Sequence, residues 1–100
     1  MKYDKLVRDK IPEIIESKGG KTIIHIADDK EYWIKLKEKL LEEIKEFSEN
    51  ESIEELADIQ EVLNAIRDYK GFPESELEEA KRAKAEKRGA FKKRIILEES

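Results

Sequence analysis

Residues 28–70 read DDKEYWIKLKEKLLEEIKEFSENESIEELADIQEVLNAIRDYK, and this stretch decides the fold. Apolar side chains recur in it every three or four residues, on both sides of a polar break at residues 49–51. Such spacing predicts two amphipathic helices, at about residues 29–49 and 53–70. The break is too short for any connection except a tight antiparallel turn. We therefore expect a helical hairpin whose apolar faces lie against each other or against a second subunit.

Each helix of this hairpin is preceded by a capping sequence. Asp28 is followed by Glu31, and Ser52 is followed by Glu55, in each case three residues later. A short polar side chain just before a helix accepts a hydrogen bond from a free backbone N–H of the first turn, and an acidic residue at the third helical position completes the motif. The two caps therefore predict where the helices begin.

Two shorter helices are expected to flank the hairpin. Pro12 suits the first position of a helix, which should run for about two turns and stop at Gly19. Later in the chain, Ser75 followed by Glu78 predicts a cap for a helix at about residues 75–88. This last helix has few apolar residues, so we expect it to pack at the edge of the domain or to close over something.

Two segments rich in β-branched residues lie outside the helices, at residues 21–26 (KTIIHI) and residues 93–97 (KRIIL). This composition is typical of strands, and a lone strand leaves its backbone groups without partners. We therefore expect the two segments to pair with each other and to bring the ends of the chain together. The predicted fold class is mainly α, with this minor two-stranded β element, in one domain that covers residues 1–100.

The composition excludes several classes of function. Apolar residues make up 38% of the chain and charged residues 46%, so we expect one small core and a need for oligomerisation. The absence of cysteine excludes disulfides and thiolate zinc sites. Because no long apolar run is present, we expect a cytoplasmic protein that neither is exported nor spans a membrane. A net charge of −4 argues against a nucleic acid polymer as partner.

Four acidic residues of the hairpin lie where solvated side chains are not expected. Glu43 continues the apolar stripe of the first hairpin helix, and Glu46 follows on the adjoining face. On the second helix, Glu55 falls within the apolar arc and Asp58 lies at its edge. Buried carboxylates need a cation or a proton. Because these oxygen ligands come without histidine or cysteine, they suit Mg²⁺, or Mn²⁺, better than zinc.

These residues also have interpretations without a metal. Glu43 can pair with Lys39 one turn earlier, and Glu55 can serve in the helix cap. Glu46 has no basic residue at helical spacing and can be solvated. Glu61, further along the second helix, is either an additional ligand, a base beside the ligands, or an ordinary exposed residue.

Four segments carry a resemblance to a known family. They are YDKLVRDKIPEII at residues 3–15, LEEIKEF at residues 41–47, EELADIQEVL at residues 54–63 and KRGAFKKRIIL at residues 87–97. The two middle segments resemble the paired acidic motifs of the MazG-like all-α NTP pyrophosphohydrolases. The first and last segments resemble the opening and the close of the small phosphoribosyl-ATP pyrophosphohydrolase-like branch of that family.

The resemblance implies an activity, a cofactor and a site. The activity is Mg²⁺-dependent cleavage between the α and β phosphates of a nucleoside triphosphate or related nucleotide, giving a monophosphate and pyrophosphate. It implies a house-cleaning role, carried out by a homodimer or larger homo-oligomer. The catalytic and metal-binding residues would be Glu43, Glu46, Glu55 and Asp58. The substrate phosphates would be bound by basic residues from both ends of the chain, namely Lys5, Arg8, Lys10, Lys87, Arg88 and Lys92.

Two other functions stay open at this point. The same chemistry could serve the hydrolysis of phosphoribosyl-ATP in histidine synthesis. The chain could instead be a non-catalytic helical module for oligomerisation or regulation, since its surface is highly charged and its last helix offers few apolar contacts. Release of pyrophosphate in the presence of Mg²⁺ distinguishes the enzymes from the module.

Overall fold

A computed structural model describes residues 4–100, which contain four helices. In chain order these are α1 (Ile11–Ser17), α2 (Asp29–Glu49), α3 (Ile53–Lys70) and α4 (Glu74–Arg88). The mainly α class is confirmed, and the hairpin helices α2 and α3 have the bounds that the sequence predicts. Within this part of the chain, none of the helices is both long enough and apolar enough to cross a membrane.

The side chains of Asp28 and Ser52 cap α2 and α3 as expected, each by accepting a hydrogen bond from a backbone N–H of the first turn. Asp28 accepts a hydrogen bond from the backbone N–H of Glu31 at 2.8 Å, and Ser52 Oγ accepts one from the N–H of Glu55 at 3.3 Å. The N–H of Ser52 donates to the carbonyl of Asn50 rather than to the Glu55 side chain. The Glu55 carboxylate is therefore not used in capping.

The ends of α1 and α3 also follow from local chemistry. α1 has a proline at its start, as expected for Pro12, and ends before Gly19, whose φ of +87° lies in the left-handed region. α3 ends at Gly71, with φ +70°, whose N–H donates to the Asp68 carbonyl. Glycine reaches this conformation without steric cost, so both helices stop at these positions.

The predicted cap of α4 is wrong. The helix begins at Glu74 and its N-cap is Pro73, with no side-chain hydrogen bond from Ser75. Pro73 has φ −60° and ψ 143°, and its carbonyl accepts hydrogen bonds from the N–H groups of Glu76 and Leu77. The proline thus starts the helix one residue earlier, since its fixed φ already suits the entry to a helix.

The predicted β element is also wrong for the described residues 4–100. Residues 21–26 and 93–97 form no strand, and Ile23 and Ile96 are 103% and 82% exposed. The reason lies in α4, which connects the hairpin to the second segment. α4 buries none of its residues, so no packing carries the end of the chain back to residues 21–26.

The core is very small for the length of the chain. Among the described residues, the buried apolar side chains are Leu36 of α2, 1% exposed, and Val62 of α3, 8% exposed. The radius of gyration is 17.8 Å and the longest dimension is 56 Å, whereas a compact chain of this length has a radius of gyration of about 13 Å. One copy alone therefore leaves most of its apolar side chains in contact with water.

An aromatic cluster joins the start of α2 to the end of α3. The ring of Trp33 stacks on that of Tyr69 with centroids 5.2 Å apart, and Tyr32 meets Tyr69 edge to face at 5.6 Å. The Tyr69 hydroxyl donates to the Asp29 carbonyl, and Lys70 Nζ lies 4.4 Å from the centre of the Trp33 ring. This cluster holds the open end of the hairpin together.

Replacement of Leu36 with alanine should lower the free energy of unfolding by about 2–5 kcal/mol, because it leaves a cavity at the centre of the α2–α3 contact. Leu36→Met keeps the side-chain volume and should cost less than about 1.5 kcal/mol. Urea denaturation followed by far-UV circular dichroism, at one fixed protein concentration, measures both. An alanine variant as stable as the methionine variant would contradict the position of Leu36 at the core.

Candidate metal centre

Three of the four predicted carboxylates come together between the hairpin helices. Glu43 projects from α2, while Glu55 and Asp58 project from the first turns of α3. One carboxylate oxygen from each of the three lies within 4.8 Å of the other two. The helices are antiparallel and Glu55 and Asp58 are one turn apart on the same face, so the spacing predicted from sequence is realised. We call these three residues the carboxylate cluster.

Burial makes this cluster unusual. The Glu43 side chain is buried, with the residue 5% exposed, and its Oε2 has no hydrogen-bond partner. Glu55 Oε2 is likewise buried and unpartnered. A buried carboxylate oxygen that lacks a donor costs about 1–3 kcal/mol or more. The cluster would therefore be stabilised by a bound cation or by protonation.

Two basic side chains of the protein neutralise part of the negative charge of the cluster. Lys39 Nζ lies 3.1 Å from Glu43 Oε1, which is the one-turn pair expected on α2. Arg8 Nη2 donates to Asp58 Oδ1 at 2.7 Å. This hydrogen bond is the main reason that the pKa of Arg8 is raised, and the charges of Asp58, Glu61 and Glu43 raise it further. Arg8 is thus brought to the cluster from the segment before α1.

A second contact anchors the same N-terminal segment beside the cluster. Lys5 Nζ donates to Glu42 Oε1 at 3.0 Å, and Lys39 Nζ lies 3.4 Å from Glu42 Oε2. Although burial acts to raise it, the pKa of Glu42 is lowered because Lys5 and Lys39 stabilise its charged form. Neither the role of Glu42 nor the pairing of Arg8 with Asp58 is predicted from the sequence. No local pattern could have shown either contact, since the partners are 37 and 50 residues apart.

Glu46 lies at the rim of the cluster rather than inside it. The residue is exposed and is not one of the three carboxylates that meet within 4.8 Å. Its pKa is nevertheless raised, first by partial burial and then by the negative charges of Glu43 and Glu42. Glu61 is also exposed and acts on the site through its charge near Arg8. Both residues therefore interact electrostatically with charged groups of the site.

The remaining predicted phosphate-binding residues are not joined to the cluster in the part of the chain that the structure describes. Lys87 and Arg88 end α4, Lys92 follows it, and Lys10 precedes α1; all four are exposed. No hydrogen bond or ion pair within residues 4–100 joins any of them to a carboxylate of the cluster. The expectation that paired terminal strands hold the two basic groups together is wrong, because those strands do not form in one chain.

A small cavity lies between the N-terminal segment and α2, and none of the three cluster residues lines it. It has a volume of about 180 Å³, whereas sites for drug-sized ligands usually measure about 300–1,000 Å³. Its walls are formed by Lys5, Leu6, Lys35, Glu38, Lys39 and Glu42.

Comparison with known proteins adds one partial relative. No family model and no solved structure matches the chain. Over 41 residues the chain is 49% identical to an uncharacterized protein of Mycolicibacterium smegmatis. The match covers 41% of this chain and 42% of the relative, so the chain spans less than half of that protein's length. The match shows that a segment of this chain is related to a segment of that protein, and it assigns no function to either.

The raised pKa of Glu46 gives a pH-dependent prediction. Folding favours the protonated form of this group, so its ionised form destabilises the folded state at neutral pH, and this effect disappears as the pH falls below the unfolded pKa. With metal removed by EDTA, Glu46→Gln should therefore raise the melting temperature slightly at pH 7. At pH 3.5 or so, near or below the carboxyl pKa, the difference should be nearly gone. Thermal unfolding at both pH values measures it; a lower melting temperature at pH 7 would refute the assignment.

Proposed function

We propose that this protein is a Mg²⁺-dependent nucleotide pyrophosphohydrolase that acts on free nucleotides in the cytoplasm. It would cleave the bond between the α and β phosphates and release a nucleoside monophosphate and pyrophosphate. The observation that carries the proposal is the pair of buried, unpartnered oxygens on Glu43 and Glu55, two residues whose carboxylates come together with that of Asp58 across the hairpin. The resemblance of the acidic motifs to the MazG-like enzymes supports the same conclusion.

The residues present fit a hard divalent cation. The donors of Glu43, Glu55 and Asp58 are all oxygen, and two of these residues carry a buried oxygen without a hydrogen-bond partner. Mg²⁺ prefers such ligands, and it usually keeps several waters and binds substrate phosphates as well. When bound, the ion would neutralise the triphosphate and lower the pKa of a bound water. Mn²⁺ fits the same donors.

Glu46 is suited to accept the proton of the attacking water. Its position at the rim leaves it free of the three residues that would hold the ion, so its carboxylate can act as a general base. The water oxygen would bond to the α phosphorus while the bond from that phosphorus to the bridging oxygen breaks. Pyrophosphate leaves with the bonding electron pair, and the proton of the water passes to Glu46.

Arg8 is placed to balance charge on the substrate. In the structure it donates to Asp58. If Asp58 becomes a metal ligand, the guanidinium can turn to a phosphate oxygen, for which its planar set of donors is well suited. Lys5 lies close by on Glu42, and Lys10 would act from the same end of the chain.

We further propose that the working form is a homo-oligomer. Apolar side chains on the hairpin, such as Leu41 at 69% exposed, lie open in a single copy. A second subunit can cover the apolar surface and complete the site, and it can supply Lys87, Arg88 and Lys92, which have no hydrogen bond or ion pair to the cluster of their own copy among the described residues.

A second candidate function has its own support. The ion pairs of Arg8 with Asp58 and of Lys39 with Glu43 satisfy part of the acidic charge without any metal. That arrangement suits a non-catalytic helical module that oligomerises or regulates. The enzyme is preferred because the two unpartnered oxygens remain after these ion pairs have formed.

The proposal is tested with a substrate panel. Purified protein with Mg²⁺ is incubated with canonical, deoxy and damaged nucleoside triphosphates and with phosphoribosyl-ATP, and pyrophosphate is measured. We expect release from at least one of them, and the one preferred identifies the house-cleaning or the histidine-synthesis role. Glu55→Gln should reduce the rate about 100-fold, the usual size of effect for one group that stabilises charge in the transition state.

Glu54→Gln is the matched control for this assay. Glu54 precedes Glu55 on α3, is exposed, and is not part of the carboxylate cluster. Its replacement should leave the rate within about twofold of wild type. The Ser52 cap survives in both variants, because it uses the backbone N–H of Glu55. No release of pyrophosphate from any substrate would reject the enzyme in favour of the non-catalytic module.

A further inference from the structure

We propose that residues 21–25 of one copy pair with residues 95–99 of a second copy as antiparallel β-strands, and that the exchange is reciprocal. Each copy would give its C-terminal segment to its partner and receive the partner's segment in return. This interface is separate from the carboxylate cluster and does not depend on the proposed catalytic activity.

Both segments have the composition of strands but lack a partner. The first contains Ile23 and Ile24 and the second contains Ile95, Ile96 and Leu97, all of them exposed in the single copy. Within the described chain, residues 21–27 make no backbone–backbone hydrogen bond, and in the segment after α4 the N–H of Arg94 donates to Phe91. β-branched residues favour strands, and unpaired backbone groups next to exposed apolar side chains are a template for pairing with another chain.

The charges at the ends of the segments determine the direction of pairing. The first segment has Lys21 before its isoleucines and Asp28 with Asp29 after them. The second has basic residues before its apolar run, at residues 92–94, and acidic residues after it, at residues 98–99. Antiparallel pairing places opposite charges together at both ends. Parallel pairing places like charges together at both ends, which is destabilising.

The same charges, with the apolar residues, set the register. When Lys21 lies opposite Glu99, Ile23 lies opposite Leu97 and Ile24 lies opposite Ile96. A shift by one residue in one direction would place Ile23 opposite Glu98, and a shift in the other direction would place His25 opposite Arg94. Arg94 has a φ of +59°, so the chain turns just before the strand would begin at residue 95. That turn needs no change for residues 95–99 to pair.

A second copy fits better than the same chain. α4 has 15 residues and is about 22 Å long; it buries no residue, so it holds its C-terminal end away from the hairpin. In the single copy both segments are present and remain unpaired. A twofold arrangement makes each contact twice, which matters because one isolated two-stranded pair is only marginally stable.

The test uses the natural absence of cysteine. Ile24→Cys and Ile96→Cys are combined in one chain, the protein is oxidised at micromolar concentration, and the products are separated on a non-reducing gel. Directly opposite residues in antiparallel strands have Cβ atoms about 4.5–5.5 Å apart, close to the spacing a disulfide needs. We expect a covalent dimer as the main product, without a ladder of larger species.

The matched control is Ile23→Cys combined with Ile96→Cys. In the proposed register these side chains point to opposite faces of the pair, so we expect several-fold less dimer. Circular dichroism checks that both proteins are folded. A fast-migrating monomer with an internal disulfide would show pairing within one chain and overturn the proposal. Equal dimer from both pairs, a ladder of open chains, or no disulfide from Ile24→Cys with Ile96→Cys would overturn it as well.

Discussion

The central constraint on this molecule is a carboxylate buried between two helices. Glu43 occupies a position on α2 that the helical repeat assigns to the apolar face, and it is 5% exposed, with one oxygen lacking any partner. An apolar residue there would stabilise the hairpin at no such cost. On α3, Glu55 likewise has one buried carboxylate oxygen without a hydrogen-bond partner. In a chain whose core rests on Leu36 and Val62, two such costs are a large fraction of the available stability.

The packing around the hairpin follows from that negative charge. The cluster and its neighbours comprise Glu42, Glu43, Glu46, Glu55 and Asp58, while the cations in contact with them are Lys5, Arg8 and Lys39. The N-terminal segment is held on α2 and α3 by Lys5 and Arg8, and Lys35 of α2 donates a hydrogen bond to the carbonyl of Asp4. Because acidic groups outnumber basic ones, negative charge remains at the cluster. A divalent cation would remove the excess and bind a phosphate at the same position.

The sequence predicts the local parts of this structure well and the non-local parts poorly. The bounds of α2 and α3 follow from Asp28 and Ser52, whose hydrogen bonds reach only three residues. The burial of Glu43 follows from the helical period. The contact of Arg8 with Asp58 spans 50 residues and leaves no periodic signal. Residues 21–26 have the composition of a strand, yet composition cannot say which chain supplies the partner, and here the same chain does not.

The most direct test of the buried cluster is the binding of Mn²⁺, followed by electron paramagnetic resonance as a stand-in for Mg²⁺. We expect the signal of free Mn²⁺ to fall in a saturable way when wild-type protein is added, and to recover when excess Mg²⁺ competes for the site. Glu43→Gln removes the buried charge and should weaken this binding at least tenfold, since one of few protein ligands is lost. Unchanged Mn²⁺ affinity in Glu43→Gln, or no binding to the wild type, would contradict a metal centre at Glu43, Glu55 and Asp58.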